Sequence, residues 1–448
     1  MVNGPSGTAR TAAMPPRDAE AVPRDAEAIP RDAEAIPRDA EAIPRDAEAM
    51  RSETGDSGVA ASARAGEKVA ASASVGGLAG AAEGTSGMGA VAQAPAHSVY
   101  GALDLGTNNC RLLIAKPSRR GFVVIDAFSR IIRLGEGLLS SGRLSDDAMK
   151  RTVDALRVCA DKMRRRGVTR SGLIATEACR IATNNAEFID RVQNETGLKL
   201  EIVGRETEAK LAVSGCASLL DRNCDWALVF DIGGGSSELI WLDLARLGRQ
   251  RRSVHDLVAV QSCIAGWTSL PIGVVNLAER HGGREVTRES YEAMVDDVMV
   301  ALNGFESQHR FGERVAGDRV HFLGTSGTVT TISGIHLKLP TYERSRVDGS
   351  WLTARETRTV SDDLIAMSYA ERVAQPCIGH ERADLVLAGC AILEALLRVW
   401  PCQRLRVADR GLREGILTTL MAEDGHDRRG TPRPPRRRHG PQAHRGRG

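Results

Sequence analysis

Two segments of the chain combine an aspartate, a glycine turn and a second ionisable residue at matching spacing. The segment DLGTNNCRLLI runs from Asp104 through Arg111, and the segment DIGGGSSELI runs from Asp231 through Glu238. Glycines in such a turn let backbone N–H groups approach a phosphate, and an aspartate at the end of the preceding strand can face a divalent cation. The pair of segments therefore predicts one cleft with a phosphate-binding turn on each side.

The two turns differ in the ionisable residue that follows them. Residues on either side of a hairpin turn lie side by side, so Arg111 is expected near Asp104 and Glu238 near Asp231. Arginine offers a fork of donors that matches phosphate oxygens, whereas two carboxylates offer the hard oxygen ligands that Mg²⁺ prefers. An Arg–Asp ion pair and a solvated carboxylate would explain the same residues without any chemistry.

Apolar runs beside each turn predict the strands that position these residues. We expect strands over 99–105, 111–115 and 122–132 around the first turn, and over 226–232 and 238–242 around the second. Helices are expected between Ser145, a good N-cap, and Gly167, and over 206–220, 288–308 and 383–400. This order predicts an α/β architecture, and the repeated strand–turn–strand opening predicts two related lobes.

Composition separates the folded part from both ends of the chain. Residues 16–50 repeat PRDAEAI or a near copy with a proline in each unit, and Ala, Gly and Ser dominate up to about residue 97. Such segments lack the large apolar side chains that offset ordering entropy, so we predict a disordered extension over 1–97. The first lobe is predicted over 98–220, the second over 221–422, and a basic disordered tail over 423–448.

Charge and cysteine usage narrow the class of protein. The formal net charge is +3, and the tail alone carries eight arginines counted from Arg428, so the folded part is mildly acidic and no nucleic-acid-binding core is expected. Nine cysteines stand singly without a C-x-x-C pair, which favours reduced thiols and a cytoplasmic protein. The sequence has no run of about 18 apolar residues, so no membrane segment is expected.

The ordered motifs of the folded part resemble a known family. Over residues 98–420 the chain is similar to the exopolyphosphatase and guanosine pentaphosphate phosphohydrolase (Ppx/GppA) family. The segments that carry the resemblance are DLGTNNCRLLI, LIATEACRIATN, EIVGRETEAKLAVSG, VFDIGGGSSELI, TSLPIGVVNLAER, FLGTSGTVTTISG, HERADLVLAGCAIL and RVADRGLREGIL.

This resemblance implies a fold, an activity and a site. The implied fold is the two-lobed actin-like, sugar-kinase and Hsp70-like ATPase fold. The implied activity is Mg²⁺-dependent removal of a terminal phosphoryl group from inorganic polyphosphate or guanosine pentaphosphate, with water as the nucleophile and a homodimer as the expected assembly. The family's catalytic glutamate matches Glu208, its metal-linked carboxylates match Asp231 and Glu238, and Arg111 and Arg180 match residues that hold phosphate.

The expected phosphate-binding residues lie in three glycine turns: Asp104, Gly106, Thr107, Asn108, Gly233, Gly234, Gly235, Ser236, Ser237, Gly324, Thr325 and Ser326. The third turn, 324–327, either faces the substrate or only closes its lobe. Without the resemblance, Glu208 reads as a solvated glutamate in the first turn of a helix, and Arg180 as the partner of a surface carboxylate.

The sequence departs from the family pattern at two places, and two other functions stay possible alternatives to the implied hydrolysis. Lys210 replaces the arginine that usually follows the catalytic glutamate by two residues, which removes bidentate geometry. The last motif ends near Leu417, without the helical domain that lengthens the polyphosphate path in longer members. A non-catalytic sensor of alarmone or polyphosphate and an ATP-dependent phosphotransferase of the same fold are the alternatives.

Overall fold

A computed structural model describes residues 98–118, 121–221, 223–247, 260–315 and 319–426, all within one unit of the chain, Gly87–Gly448. The predicted N-terminal extension, 1–97, and nearly all of the predicted tail lie outside the described residues. None of the helices in the described ranges is long and apolar enough to cross a membrane.

The first sheet has five strands in the order β3-β2-β1-β4-β5. Their bounds are β1 Tyr100–Leu105, β2 Asn109–Ser118, β3 Gly121–Ile131, β4 Arg170–Ala175 and β5 Glu201–Ile202. Strand β1 pairs antiparallel with β2 and parallel with β4, so the first glycine turn closes a hairpin at one end of the central strand. The three strands predicted around this turn are confirmed.

Five helices accompany this sheet: α1 Leu138–Ser141, α2 Asp146–Arg165, α3 Glu177–Ile181, α4 Asn185–Thr196 and α5 Arg205–Cys216. Helix α2 begins where predicted, because the Ser145 side chain accepts a hydrogen bond from the backbone N–H of Ala148. Its buried face packs with β1 and β2 into one apolar cluster that includes Leu103, Leu112 and Leu156.

The second sheet repeats the opening of the first. Its order is β10-β11-β9-β6-β7-β8, with β6 Trp226–Ile232, β7 Ser237–Asp243, β8 Ile264–Leu270, β9 Val320–Thr325, β10 Trp351–Thr353 and β11 Arg404–Ala408. Strand β6 pairs antiparallel with β7 and parallel with β9, as β1 does with β2 and β4. The two related lobes predicted from the repeated pattern are present.

Eight helices accompany the second sheet. They are α6 Val274–His281, α7 Arg288–His309, α8 Gly312–Val315, α9 Ser326–His336, α10 Arg344–Val347, α11 Ala354–Ala366, α12 Tyr369–Ala374 and α13 Val386–Val399. Helix α13 is buried along most of its length, which explains its nearly continuous apolar sequence. The Trp241 ring stacks on Phe311 and meets the Trp400 ring edge to face in the same core.

The last helix, α14 Leu412–Glu423, returns to the first sheet. The sequence prediction assigned 221–422 to the second lobe, but Leu412 and Ile416 pack with Tyr100 and Ala102 of β1. Burying the apolar face of α14 against β1 is what brings the end of the described chain back to the first lobe.

Helices α5 and α14 meet through glycines. A Cβ at Gly415 would lie 1.9 Å from the carbonyl oxygen of Leu211, and a Cβ at Gly215 would lie 1.8 Å from that of Gly411. The chain leaves the first lobe through α5 and returns through α14, so this contact holds the two crossings together. Glu208 lies on α5, one turn before the contact.

Candidate active site

The first glycine turn places Asp104 beside Arg111. The register of β1 and β2 pairs these two residues directly, as the hairpin argument predicted. The turn is closed by a hydrogen bond from the Gly106 N–H to the Asn109 carbonyl, 2.9 Å. The side-chain oxygen Oδ1 of Asn108 is buried and has no hydrogen-bond partner among the described residues.

The second glycine turn places Asp231 beside Glu238 in the same way. The Gly233 N–H donates to the Ser236 carbonyl at 2.9 Å, and the N–H groups of Val274 and Val275 donate to the carbonyls of Gly233 and Gly234. These last two donors belong to the TSLPIGVVN segment, which therefore stabilises the turn through backbone hydrogen bonds.

The tips of the two turns touch each other. A Cβ at Gly234 would lie 3.1 Å from Cβ of Thr107, and a Cβ at Gly235 would lie 2.7 Å from Oγ1 of Thr107. Side chains at these glycines would push the turns apart, so close packing alone requires glycine here. The two turns predicted from sequence thus lie against each other, while a shared cleft and contact with phosphate stay predictions.

Asp231 and Glu238 form an acidic pair, in which Glu238 is buried and Asp231 is partly buried. Oε1 of Glu238 accepts hydrogen bonds from the hydroxyls of Ser236, 2.7 Å, and Ser269, 2.8 Å. Burial, with repulsion from Asp231, raises the pKa of Glu238 to about 7. Burial, with repulsion from Asp104, raises the pKa of Asp231 to about 6. In the described part of the chain, no lysine or arginine forms an ion pair with either member.

The donor set of this pair fits Mg²⁺. The described residues contain no group of three or more His, Cys, Asp or Glu side chains placed to hold a metal ion. Mg²⁺ is commonly held by one or two carboxylates, with water and substrate phosphates completing its shell. Asp231 and Glu238 supply that number of carboxylates, and a cation would relieve the repulsion between them.

The residues of the third glycine turn have two roles: Gly324 packs in the core, and Ser326 contacts Asp231. A Cβ at Gly324 would lie 2.6 Å from the Phe230 ring, so this glycine serves the core. Ser326 adopts a left-handed backbone, with φ of 81°, which is unusual for a residue with a side chain. Its hydroxyl hydrogen-bonds Asp231 and favours the ionised form of that carboxyl. The hydroxyl of Thr325 donates to the Arg410 carbonyl at 2.7 Å, which anchors the turn.

Glu208 lies in the first turn of α5 and faces the same cleft. Its side chain is only 13% exposed and accepts a hydrogen bond from Nη2 of Arg180 at 3.0 Å. Burial and repulsion from Glu238 raise the pKa of Glu208 well above the usual range, while Arg180 opposes the rise. Asp104 adds a smaller repulsion, which shows that Glu208, Glu238 and Asp104 share one electrostatic environment.

Arg180 already has protein partners for most of its donors. Its Nε and Nη2 donate to Oε2 of Glu177 at 2.9 and 2.5 Å, and its Nη1 donates to the carbonyl of Val203 at 2.6 Å. Sequence reasoning assigned Arg180 to phosphate, and that role stays a prediction. In the structure its guanidinium lies between Glu177 and Glu208.

Sequence reasoning missed two charged residues at the site. Glu177 opens α3 and lies within the motif TEACR, where its i, i+3 spacing to Arg180 was an available signal. Arg413, in the first turn of α14, interacts electrostatically with Asp104 and Arg111, and burial lowers its pKa. Nothing in the local pattern marked Arg413, because a helix from the end of the chain brings it to the cleft.

The fold and the site together define the class of protein: two α/β lobes of the actin-like ATPase fold, with an acidic cleft that contains arginines. The model of the Ppx/GppA phosphatase family matches residues 113–424. The chain belongs to this family.

Solved structures agree with this assignment. The chain is similar to an exopolyphosphatase-like protein, with 28% identity, a TM-score of 0.64, and coverage of 72% of this chain and 97% of that one. It is also similar to the Ppx/GppA family member of Aquifex aeolicus, with 27% identity, a TM-score of 0.58, and coverage of 73% and 99%. An exopolyphosphatase from Cytophaga hutchinsonii shares the fold at 23% identity, with a TM-score of 0.63 and coverage of 73% and 98%.

Proposed function

We propose that this protein is a Mg²⁺-dependent hydrolase that removes terminal phosphoryl groups from inorganic polyphosphate, guanosine pentaphosphate or both. One observation carries the proposal. A buried glutamate, Glu208, hydrogen-bonded by Arg180, shares a cleft with the acidic pair Asp231 and Glu238. Such an arrangement provides a base for water beside a site for a divalent cation.

Glu208 is the proposed base. Its raised pKa makes its carboxylate a better proton acceptor than an exposed glutamate, and the hydrogen bond from Arg180 keeps it oriented. Water attacks the terminal phosphorus and gives a proton to Glu208 as the bond to the bridging oxygen breaks. The products are orthophosphate and a chain one phosphate shorter, so no covalent intermediate on the protein is needed.

Asp231 and Glu238 are the proposed Mg²⁺ ligands. When bound, the ion would offset negative charge on the phosphate oxygens that these carboxylates would otherwise repel. Ser236 and Ser269 orient Glu238 by hydrogen bonds to one of its oxygens, and the Ser326 hydroxyl orients Asp231.

Arg111 and Arg413 are the proposed phosphate contacts on the side of Asp104. Neither forms an ion pair among the residues that the structure describes, and both act electrostatically on Asp104. Two cations without ion-pair partners beside a glycine turn suit a polyanionic substrate. The backbone N–H and hydroxyl groups of the three turns complete the proposed phosphate-binding site.

A cavity beside the first turn favours guanosine pentaphosphate as one substrate. It has a volume of about 190 Å³, and Asn108, Val275, Ala278, Arg284 and Leu385 are among its lining residues. The apolar side chains of Val275, Ala278 and Leu385 suit the ring of a base. Bare polyphosphate has no such ring.

We also propose that the protein is cytoplasmic and forms a homodimer. All nine cysteines are free thiols, and they are buried except for Cys224 and Cys402, which are partly buried. Free thiols agree with a reducing cytoplasm.

We propose a homodimer because of the family resemblance. Sedimentation of the purified protein at micromolar concentration tests this proposal, and a single species of monomer mass would contradict it.

The activity is tested by measuring orthophosphate release from tripolyphosphate, long-chain polyphosphate and guanosine pentaphosphate, with Mg²⁺ or with a chelator. We expect release from at least one substrate in Mg²⁺ without any acceptor, and none in chelator. Phosphate transfer that requires ATP and an acceptor would indicate a phosphotransferase. Tight binding of these polyanions in Mg²⁺ without turnover would indicate a sensor.

A further inference from the structure

Glu177 is a buried carboxylate beside the proposed base Glu208, and it is neither the base nor a proposed Mg²⁺ ligand. The side chain of Glu177 is 5% exposed and accepts hydrogen bonds from two arginines. Arg205 donates through Nε to Oε2 at 3.2 Å and through Nη2 to Oε1 at 2.6 Å. Arg180 donates through Nε and Nη2 to Oε2. This network lowers the pKa of Glu177 against the effect of burial, so the residue is ionised at neutral pH.

Glu177 limits the number of Arg180 donors that are available to Glu208. Nη2 of Arg180 donates both to Glu177, at 2.5 Å, and to Glu208, at 3.0 Å. With Nε also on Glu177 and Nη1 on the Val203 carbonyl, the guanidinium plane is fixed. Glu208 therefore accepts a single hydrogen bond through Oε2. Its other oxygen, Oε1, has no hydrogen-bond partner among the residues with described positions.

The position of Glu177 in the fold joins three parts of the site. It begins α3, while its partner Arg205 begins α5, the helix that carries Glu208. A Cβ at Gly235 would lie 3.2 Å from Cγ of Glu177, so Glu177 also lies against the second glycine turn. A carboxylate at this junction fixes α5 relative to the turn that ends in Glu238.

We infer that Glu177 is a positioning residue for the hydrolysis: it holds Arg180 so that Glu208 receives one hydrogen bond and keeps a free oxygen for water. The inference rests on the proposed function. Without the charge of Glu177, Arg180 would turn its fork of donors toward Glu208. Two charge-assisted hydrogen bonds to Glu208 would stabilise its ionised form and weaken it as a base.

The test is Glu177→Gln, with Glu206→Gln as the matched control. Glu206 lies two residues before Glu208 on the same helix turn, but it is exposed and pairs with Lys210. For phosphate release from tripolyphosphate in saturating Mg²⁺, we expect kcat of Glu177→Gln to fall about 10- to 100-fold, while KM stays within about two-fold. The control is expected to retain wild-type kcat and KM. A raised KM with unchanged kcat would contradict the inference, because it would assign the network to substrate binding.

A double variant tests whether Glu177 acts through Glu208. In a Glu208→Gln background, adding Glu177→Gln is expected to cause no further fall in residual kcat. If the two losses multiply, Glu177 acts elsewhere and the inference is wrong. If circular dichroism shows that Glu177→Gln does not fold, Arg180→Lys replaces it, because lysine keeps the charge without the fork. The same fall in kcat at constant KM is expected, and an unchanged kcat would overturn the inference.

The two proposals fail in different ways. A wild-type protein that releases no phosphate from any of the substrates would overturn the proposed function, and this inference with it. A Glu177→Gln variant as fast as an active wild-type protein would overturn this inference alone.

Discussion

Two glutamates of α5 differ in burial and in charge environment because their surroundings differ. Glu206 and Glu208 lie two positions apart in α5, yet one is exposed and paired with Lys210, while the other is buried beside Arg180. Burial and neighbouring carboxylates raise the pKa of Glu208. The sequence departure at Lys210 has a local explanation, since its amine bonds Glu206 at 2.7 Å. Helix propensity and charge pattern do not distinguish the two glutamates, whereas their tertiary surroundings do.

Glu238→Gln tests the acidic pair. We expect the Mg²⁺ concentration for half-maximal phosphate release to rise about ten-fold or more, because one hard oxygen ligand is lost. The rise in melting temperature that Mg²⁺ gives the wild-type protein should shrink, which is a readout independent of activity. Asp243→Asn is the control, since Asp243 lies at the far end of β7 and contacts Arg246. Equal Mg²⁺ requirements in the wild-type protein and Glu238→Gln would remove Glu238 from the metal site.

The sequence predicted the residue pairs that local geometry determines. Asp104 with Arg111, and Asp231 with Glu238, follow from hairpin register alone. Glu208 came only from family resemblance, because an acidic residue in a first helical turn is common. Glu177 was missed although its i, i+3 spacing to Arg180 was visible in the sequence. Arg413 was missed because a helix from the end of the described chain brings it to the site.

At the scale of elements, the site depends on how α5 and α14 cross. Gly215 and Gly415 let the two backbones approach until carbonyl oxygens occupy the space of a side chain. The strands around the two predicted turns and the long helices were found from the apolar pattern, whereas no strand was predicted over β8 or β10. Strand β10 has only three residues, too few to show alternation.

Gly415→Ala tests the helix crossing. Its Cβ would clash with the Leu211 carbonyl, so we expect a loss of stability of about 2 kcal/mol, despite the better helix propensity of alanine. Gly304→Ala in α7 is the control, because a Cβ there meets nothing within 4 Å. It is expected to stabilise the protein by about 0.5–1 kcal/mol. Thermal unfolding measures both, and a Gly415→Ala variant as stable as the control would contradict the close crossing.

At the scale of the whole molecule, a buried histidine outside the proposed site contributes to how stability depends on pH. His321 is 2% exposed, its ring lies edge to face with Trp351, and its Nε2 has no partner among the described residues. Burial, helped by Arg406 and Arg404 and opposed by Asp221, lowers the pKa of His321 to about 4. The unfolded chain therefore binds a proton that the folded protein excludes between pH 6.5 and about 4.

This difference predicts a loss of stability as pH falls through that window. The contribution of His321 is at most about 3.5 kcal/mol, because each unit of pKa shift corresponds to about 1.4 kcal/mol. In His321→Gln, the free energy of unfolding should fall less between pH 7 and pH 5 than it does in the wild-type protein. Chemical denaturation at both pH values measures it, and parallel losses in the two proteins would show that His321 does not contribute.

The proposed hydrolysis depends above all on Glu208 as the base that activates water. The most direct test is orthophosphate release by Glu208→Gln beside Glu206→Gln, in Mg²⁺ and with the substrate that the wild-type protein hydrolyses best. We expect kcat of Glu208→Gln to fall about 100-fold or more with its melting temperature preserved, while Glu206→Gln behaves as wild type. A Glu208→Gln variant that releases phosphate at the wild-type rate would contradict the proposed role of Glu208 as the base.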